Sequence, residues 1–160
     1  LFNVTQQAIT LQFSPLPAPE DSQPTPFSSI AWNPAERDRA IAGNDNTNLY
    51  YFDASSGKLM PDGVFSSHTG SIVDVAFAPT GTVFASADSA RSVLLFDLQN
   101  PNEQVAKYST AANRSFYCVG WSGMEEEDTY EDLQLMSGSS DKNLRFWDPK
   151  EAVDNQFQSM

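Results

Sequence analysis

Residues 135–148 read Leu-Met-Ser-Gly-Ser-Ser-Asp-Lys-Asn-Leu-Arg-Phe-Trp-Asp, and this stretch decides the fold of the chain. Small residues end one strand at 137–139, Asp141 falls in a tight turn, and residues 143–147 form a second strand. An aspartate in a turn accepts hydrogen bonds from nearby backbone amides, which fixes the hairpin. Trp147 has a large ring to bury, and its indole N–H needs a polar partner. The stretch therefore predicts a β-hairpin that ends in a Trp-Asp pair.

The second strand of this hairpin recurs twice upstream, with Phe in place of Trp. The copies are Asn-Leu-Tyr-Tyr-Phe-Asp at 48–53 and Ser-Val-Leu-Leu-Phe-Asp at 92–97. A triplet of an apolar, a small and an aromatic residue precedes each copy of the strand, and the triplets end at Trp32, Phe77 and Trp121. These aromatic residues are 45 and 44 positions apart. The chain therefore contains three copies of one unit.

The strand, the Asp turn and the Trp-Asp strand end resemble the end of a WD40 repeat, which has a period of about 40–45 residues and forms one four-stranded propeller blade. The resemblance implies an all-β fold with blades over residues 27–65, 66–109 and 110–160, the last including the start of a next strand. Residues 1–13 would be outer strands of a preceding blade. A propeller needs roughly four to eight blades to close its ring. We therefore expect a fragment, not a closed ring, that is completed by further blades of the same or another chain.

Residues 14–26 contain five prolines. Proline lacks the amide donor that a sheet ladder requires, so we expect an exposed loop here. The alternative is a proline-rich recognition segment, because prolines pre-set an extended conformation.

The chain is acidic, with a net charge of −12 from 21 acidic and nine basic side chains. Binding to nucleic acid needs clustered Lys and Arg, so this charge argues against such a partner. No apolar run approaches the length that crosses a membrane. The single cysteine, Cys118, excludes an internal disulfide and suits a reducing compartment. We expect Cys118 to be a small core residue. The protein is expected to be cytoplasmic, with association with the cytoskeleton as an alternative.

His68 is the only histidine of the chain and lies nine residues before Phe77, where WD40 repeats often place a histidine. In complete repeats a His, a strand Ser or Thr, a turn Asp and the strand Trp form a hydrogen-bonded set. The resemblance assigns this blade-locking role to His68, Ser86, Ser137, Asp141 and Trp147. Ala90 and Phe96 take the two remaining positions in the second blade, and Ala112 takes the His position in the third. We therefore expect strand packing, rather than this network, to hold each blade.

A lone histidine without a nearby Cys, Ser or carboxylate constellation favours a structural role over catalysis. A metal site lacks support because there is no second histidine and no paired cysteine. No glycine-rich phosphate loop is present either. The sequence thus predicts no catalytic residue, no cofactor and no metal, and hence no enzyme.

Residues 123–132 are an acidic insertion in the third blade. The closing aromatic lies 26 positions after the triplet aromatic in the third unit, against 20 and 19 positions in the first and second. The insertion lacks the ligand spacing and the glycine of a calcium loop. We expect an exposed, mobile hairpin loop or, alternatively, a finger that contacts a basic partner. Its acidic residues are Glu125, Glu126, Glu127, Asp128, Glu131 and Asp132.

Several short motifs carry a closer resemblance. They are an Ala-Asp-x-x-Arg turn at 87–91, a Thr-Ala opening at 110–111, a Cys-x-x-Trp strand at 118–121 and the stretch 43–50. With these motifs, residues 40–148 resemble the C-terminal propeller of the actin-interacting protein 1 family. The acidic insertion and the proline run depart from that family.

The closer resemblance implies two linked seven-bladed propellers that bind actin filaments decorated with cofilin and promote their disassembly. It assigns no actin-binding residue to this chain. The alternative function is a WD40 scaffold subunit of a larger multiprotein assembly unrelated to actin. In both cases the partners are proteins.

Overall fold

The computed structural model describes residues 25–101, 104–109, 114–123, 125 and 128–151. Within them the chain forms one 3-10 helix at Tyr130–Asp132 and the strands β1 (Phe27–Trp32), β2 (Arg39–Asn44), β3 (Leu49–Asp53), β4 (Lys58–Phe65), β5 (Ile72–Phe77), β6 (Val83–Asp88), β7 (Ser92–Asp97), β8 (Gln104–Ser109), β9 (Phe116–Trp121), β10 (Leu135–Ser139) and β11 (Leu144–Trp147). The strands predicted in residues 1–13, most of the proline-rich loop and the next strand expected near residue 160 lie outside the described residues.

The strands form three antiparallel sheets in chain order. The first sheet has the order β1-β2-β3-β4, the second β5-β6-β7-β8 and the third β9-β10-β11. Within each sheet, strands that follow one another in the sequence are paired, and most of the connections between them are short turns. The sheets do not close into a ring, so the prediction of an all-β propeller fragment is confirmed. Within the described residues, the third sheet lacks the outer strand that β4 and β8 supply in the other two.

The three sheets share one register. The aromatic residue that ends the first strand faces Ala40 in the first sheet, Phe84 in the second and Leu135 in the third. Those three residues in turn face Phe52, Phe96 and Trp147. Positions in one blade can therefore be matched to positions in the next.

Apolar side chains fill the space between neighbouring sheets. Ile41, Leu49 and Tyr51 of the first sheet pack against Phe84 and Leu94 of the second, and all five are buried. The second and third sheets enclose a further core, formed by Ala85, Val93, Leu95, Phe116, Leu133 and Leu135. Burial of this apolar surface is the main force that stacks the blades.

The inner strands are also joined by one carboxylate. Asp74 on β5 accepts a hydrogen bond from the Ser29 hydroxyl at 3.0 Å and one from the Val119 amide at 2.9 Å. Asp74 thus links β1, β5 and β9, the first strands of three successive blades.

Both outer faces of the stack expose apolar side chains. Met136, Leu144 and Phe146 of the third sheet are 38%, 65% and 64% exposed. Their matched positions in the first sheet are Ile41, Leu49 and Tyr51, which the second sheet covers. Ile30 and Trp32 on the opposite outer face are 61% exposed. These are faces that further blades would cover.

Cys118 is exposed, so the prediction of a core residue is wrong. It lies on β9 opposite Gly138 and matches the position of Asp74 on β5. Asp74 reaches the next inner strand, whereas no described residue continues the stack beyond β9. The position of Cys118 at this open face explains its exposure.

Candidate protein-interaction surface

The stack of sheets has two ends, which differ in structure. The turn end carries the tight turns between the second and third strands of each blade, at residues 44–48, 88–92 and 139–143. The insertion end is the opposite one, where residues 122–134 connect β9 to β10. Loops at the ends of a rigid sheet scaffold commonly carry binding residues.

Side-chain oxygens hold the three turns in similar conformations. The Asn44 Oδ1 atom accepts the amide of Asn48 at 3.2 Å, and the Asp88 Oδ1 atom accepts the amide of Ser92 at 2.7 Å. In the third turn Asp141 accepts the amide of Asn143 at 3.0 Å. This capping matters because the fourth residue of each turn is a non-glycine residue with positive φ, which ordinary side chains disfavour. These residues are Thr47, Arg91 and Lys142, with φ of 65°, 77° and 69°.

Two serines join the turns into one row. The Ser71 hydroxyl donates to the Asp45 carbonyl at 3.0 Å, and the Ser71 carbonyl accepts the Ser89 amide at 2.9 Å. Ser115 repeats this arrangement one blade later. Its hydroxyl donates to the Ser89 carbonyl at 3.0 Å, and its carbonyl accepts the Ser140 amide at 2.9 Å. The turn end of the stack is therefore continuous across all three blades.

His68 lies beneath this row and bridges two side chains of its blade. Its Nε2 atom is 2.6 Å from the Ser86 hydroxyl, and its Nδ1 atom is 3.0 Å from the Asp88 carboxylate. A carboxylate can only accept, so Nδ1 carries a proton and donates it. Burial by itself raises the pKa of Asp88, but hydrogen bonds from His68 and the Ser92 amide outweigh it and hold that pKa below its ordinary value.

The second blade thus has a polar network that the sequence did not predict. Ala90 stands where the repeat usually has its aspartate, but Asp88, two residues earlier, supplies the carboxylate instead. The sequence signal for this carboxylate was the Ala-Asp-x-x-Arg turn at 87–91. Its aspartate is the first residue of the turn, whereas Asp141 is the third residue of the turn in the third blade. The histidine was also not isolated, because a serine and a carboxylate from β6 fold against it.

The order Ser86, His68, Asp88 has the connectivity of a serine hydrolase triad. Its surroundings do not suit catalysis. Ser86 and Asp88 are 0% exposed and His68 is 5% exposed, so no substrate carbonyl can reach the serine hydroxyl. The set joins the strand β6 to the segment before β5, which is a structural task.

The predicted locking residues of the third blade fall into two separate groups. The Trp147 indole N–H donates to the Ser137 hydroxyl at 2.8 Å. Asp141 instead accepts hydrogen bonds from Arg145 and Ser139. The bond from Arg145, and to a smaller extent that from Ser139, holds the pKa of Asp141 well below its usual range. Ala112 lies outside the described residues.

Sequence reasoning also missed Asn33, which is 3% exposed in the turn after β1. Its amide group donates to the Tyr51 hydroxyl and to the Gly81 carbonyl, both at 3.0 Å, and its Oδ1 atom accepts the Ala35 amide at 2.9 Å. Asn33 therefore ties the first blade to the second. The Asn-Pro pair after a strand was the available signal, because asparagine often caps its own turn.

The described residues of the acidic insertion include a short ordered segment. Residues 130–132 form a short 3-10 helix, and Asp132 accepts hydrogen bonds from the Thr129 amide and hydroxyl at 3.1 and 2.8 Å. Tyr130 and Leu133 pack into the core between the second and third sheets. Glu125 and Asp132 are exposed, whereas Glu126 and Glu127 lie outside the described residues. Asp128 and Glu131 are half-buried. The described acids of the insertion thus lie on an anchored base.

Two further properties concern the described ranges alone. No group of three or more His, Cys, Asp or Glu side chains there is placed to hold a metal ion. None of the helices in those ranges is both long and apolar enough to cross a membrane.

Comparison with known proteins gives the following similarities. A family model described as WD domain, G-beta repeat, matches residues 60–97. DDB1- and CUL4-associated factor 13 of Xenopus tropicalis is 30% identical over 122 residues, which are 75% of this chain and 25% of that protein. Protein SOF1 of Saccharomyces cerevisiae is 26% identical over 123 residues, 77% of this chain and 23% of that protein. WD-40 repeat-containing protein MSI4 of Arabidopsis thaliana is 28% identical over 96 residues, 59% of this chain and 18% of that protein. The chain thus spans a quarter or less of the length of these relatives.

Proposed function

Because this chain is a segment of a WD40-repeat β-propeller, we propose that its blades belong to a non-catalytic scaffold that binds other proteins in a multiprotein assembly. The observation that carries the proposal is the 30% identity, over 75% of the chain, to a protein named as an associated factor of DDB1 and CUL4. A complex containing DDB1 is therefore the first partner to test.

The geometry supports binding rather than chemistry. The one histidine is enclosed with Ser86 and Asp88, away from any substrate. The turns at the surface are held by capping side chains and by the row through Ser71 and Ser115, so they are ordered before a partner arrives. Preorganised loops lose less conformational entropy on binding.

The resemblance to the actin-interacting protein 1 family supplies the competing function. The three relatives described above are not named for actin or cofilin, whereas one is named for DDB1 and CUL4. We therefore place the scaffold function first and treat actin binding as an outcome of the test.

The test compares both functions on the same full-length protein. We expect the protein to co-elute with purified DDB1 in size-exclusion chromatography, and to remain in the supernatant when actin filaments, with or without cofilin, are sedimented. Cofilin-dependent pelleting without co-elution would replace the scaffold function with the actin function. If neither interaction is observed, the DDB1 assignment is wrong, and the partners would have to be found by an unbiased search.

We further propose that the acidic insertion contacts a basic surface of a partner. Its support is the exposure of Glu125 and Asp132 on a base that Tyr130 and Leu133 anchor in the core. Asp128 and Asp132 accept hydrogen bonds within the insertion, so the glutamates are the better positions for removing charge.

The variant Glu125→Gln with Glu131→Gln removes two insertion charges and keeps the aspartates that hold the turn. Glu125 is exposed and Glu131 is half-buried, and glutamine keeps the shape of glutamate and an oxygen that can accept hydrogen bonds. We therefore expect the free energy of unfolding to change by less than about 1 kcal/mol. Affinity for a ten-residue oligolysine peptide should fall about two- to tenfold, because each exposed ion pair contributes roughly 0.2–1 kcal/mol. Fluorescence anisotropy with the labelled peptide measures the affinity.

The matched control is Asp38→Asn with Asp62→Asn, which removes two exposed acids from the first blade. An equal loss of peptide affinity in this control would show attraction to the overall charge, not to the insertion. A loss of folding in the insertion variant would instead assign Glu125 and Glu131 a structural role.

A further inference from the structure

Two basic residues occupy the same strained position in neighbouring turns. Arg91 and Lys142 are each the fourth residue of their turn, with φ of 77° and 69°. Glycine or asparagine meets such a backbone conformation at lower cost, yet the second and third blades place long cationic side chains there. Both residues are exposed. The strain gives a reason to ask what these side chains do.

A third cation lies between them. Arg114 is exposed and directly precedes Ser115, whose hydroxyl and carbonyl bind Ser89 of one turn and Ser140 of the other. The backbone at Arg114 is therefore held between the turns that carry Arg91 and Lys142. The three residues form what we call the basic turn surface.

The cations of the basic turn surface lack carboxylate partners within the described part of the chain, where the ion pairs involve Arg39, His68 and Arg145. The nearby acids are already engaged. Asp88 is buried against His68, Asp141 is paired with Arg145, and Asp74 binds Ser29 and Val119. Asp45 is exposed in the first turn, next to the second blade, where its carbonyl accepts the Ser71 hydroxyl, so three cations stand against one exposed acid. The turn end of the second and third blades therefore has an excess of positive charge, although the whole chain carries −12.

The exposure of this surface does not result from missing blades. Arg91 is in the middle blade, with a blade packed on each side, and is still exposed. Lys142 occupies the matching position in the third blade. A following blade contacts the second residue of the turn, as in the bonds from Ser71 to Asp45 and from Ser115 to Ser89. These bonds do not involve the fourth residue.

We propose that the basic turn surface is a second binding site, which takes an acidic protein segment rich in aspartate and glutamate. Guanidinium groups bind carboxylates through paired hydrogen bonds, and the lysine adds a point charge. A nucleic acid fits less well, because its phosphates need an extended track of cations, and only nine basic residues are spread over the chain. The site lies at the end opposite the acidic insertion and does not depend on which assembly the scaffold serves.

The test uses the full-length protein and a fluorescein-labelled decaglutamate peptide, with anisotropy measured at about 50 and 200 mM salt. In Arg91→Asn with Lys142→Asn the charge is lost and the turn conformation is kept, since asparagine tolerates positive φ. We expect about tenfold weaker binding by this variant. Arg114 is not in one of the strained turn positions, so Arg114→Gln replaces the double variant as the test if the latter does not fold. We expect Arg114→Gln to weaken binding about threefold.

Two controls separate the surface from general charge. Thr47→Asn changes the same turn position of the first blade without altering charge, and Lys58→Gln with Lys150→Gln removes two exposed cations away from the turn end. Both should bind the peptide as the parent protein does. The proposal would be overturned if the Lys58 and Lys150 variant weakened binding equally, or if neither Arg91→Asn with Lys142→Asn nor Arg114→Gln weakened it. It would also be overturned if the parent protein did not bind the peptide, or if it bound a single-stranded oligonucleotide more tightly.

Discussion

Replacing His68 with alanine should destabilise the protein by about 3–5 kcal/mol, the usual cost of leaving a buried carboxylate without its side-chain partner. The Asp88 side chain is 0% exposed and is 3.0 Å from the His68 Nδ1 atom. Without the imidazole, the carboxylate keeps only backbone donors such as the Ser92 amide. Urea unfolding of the full-length protein measures the loss as a decrease in the free energy of unfolding.

The control for this prediction is the double variant His68→Ala with Asp88→Ala. It removes the buried charge together with its partner, so it should cost less than the sum of the two single changes. A loss below about 1 kcal/mol for His68→Ala would mean that water or another group reaches Asp88, and that strand packing alone holds the second blade.

The same pair implies a dependence on pH. Because the pKa of Asp88 is lowered in the folded protein, its contribution to stability is present above the unfolded-state pKa of about 4 and is lost as the pH falls through the folded value. The stability difference between the parent protein and Asp88→Asn should therefore shrink below about pH 4.

Replacing Trp147 with alanine should cost about 3–5 kcal/mol, through lost packing and the cavity that remains. The Trp147 ring lies 5.0 Å from the ring of Tyr108 and 6.4 Å from that of Phe116, between centroids. Its indole N–H also satisfies the Ser137 hydroxyl. The change therefore loosens the contact between the second and third blades. The midpoint and free energy of urea unfolding measure it.

The variant Trp147→Phe separates packing from hydrogen bonding. The first and second blades have Phe52 and Phe96 at this position, so the backbone accepts phenylalanine. We expect a cost of about 1–2 kcal/mol, mainly from leaving the Ser137 hydroxyl unpaired. If Trp147→Phe were as damaging as Trp147→Ala, the hydrogen bond and not the ring packing would dominate.

The blade pattern could be read from residue types because it depends on local chemistry. Alternating apolar residues define the strands, and Asn or Asp residues define the turns, so each hairpin is specified by residues close in sequence. The spacing of Trp32, Phe77 and Trp121 then placed the same hairpins in one register. Open apolar faces followed as well, because three blades cannot close a ring.

The polar contacts between elements depended on tertiary structure. The partner of His68 is Asp88, twenty residues away, and which carboxylate reaches the ring depends on how closely the segment before β5 approaches the second turn. That approach requires Gly70, since a Cβ atom there would lie 2.5 Å from the Ala90 amide nitrogen. The exposure of Cys118 likewise depends on whether a neighbouring blade covers its face of the sheet, and not on its own strand. Local sequence thus determined the strands and turns, whereas the fit between blades, which is set by side-chain shape at their contacts, determined the polar networks and the exposure of each face.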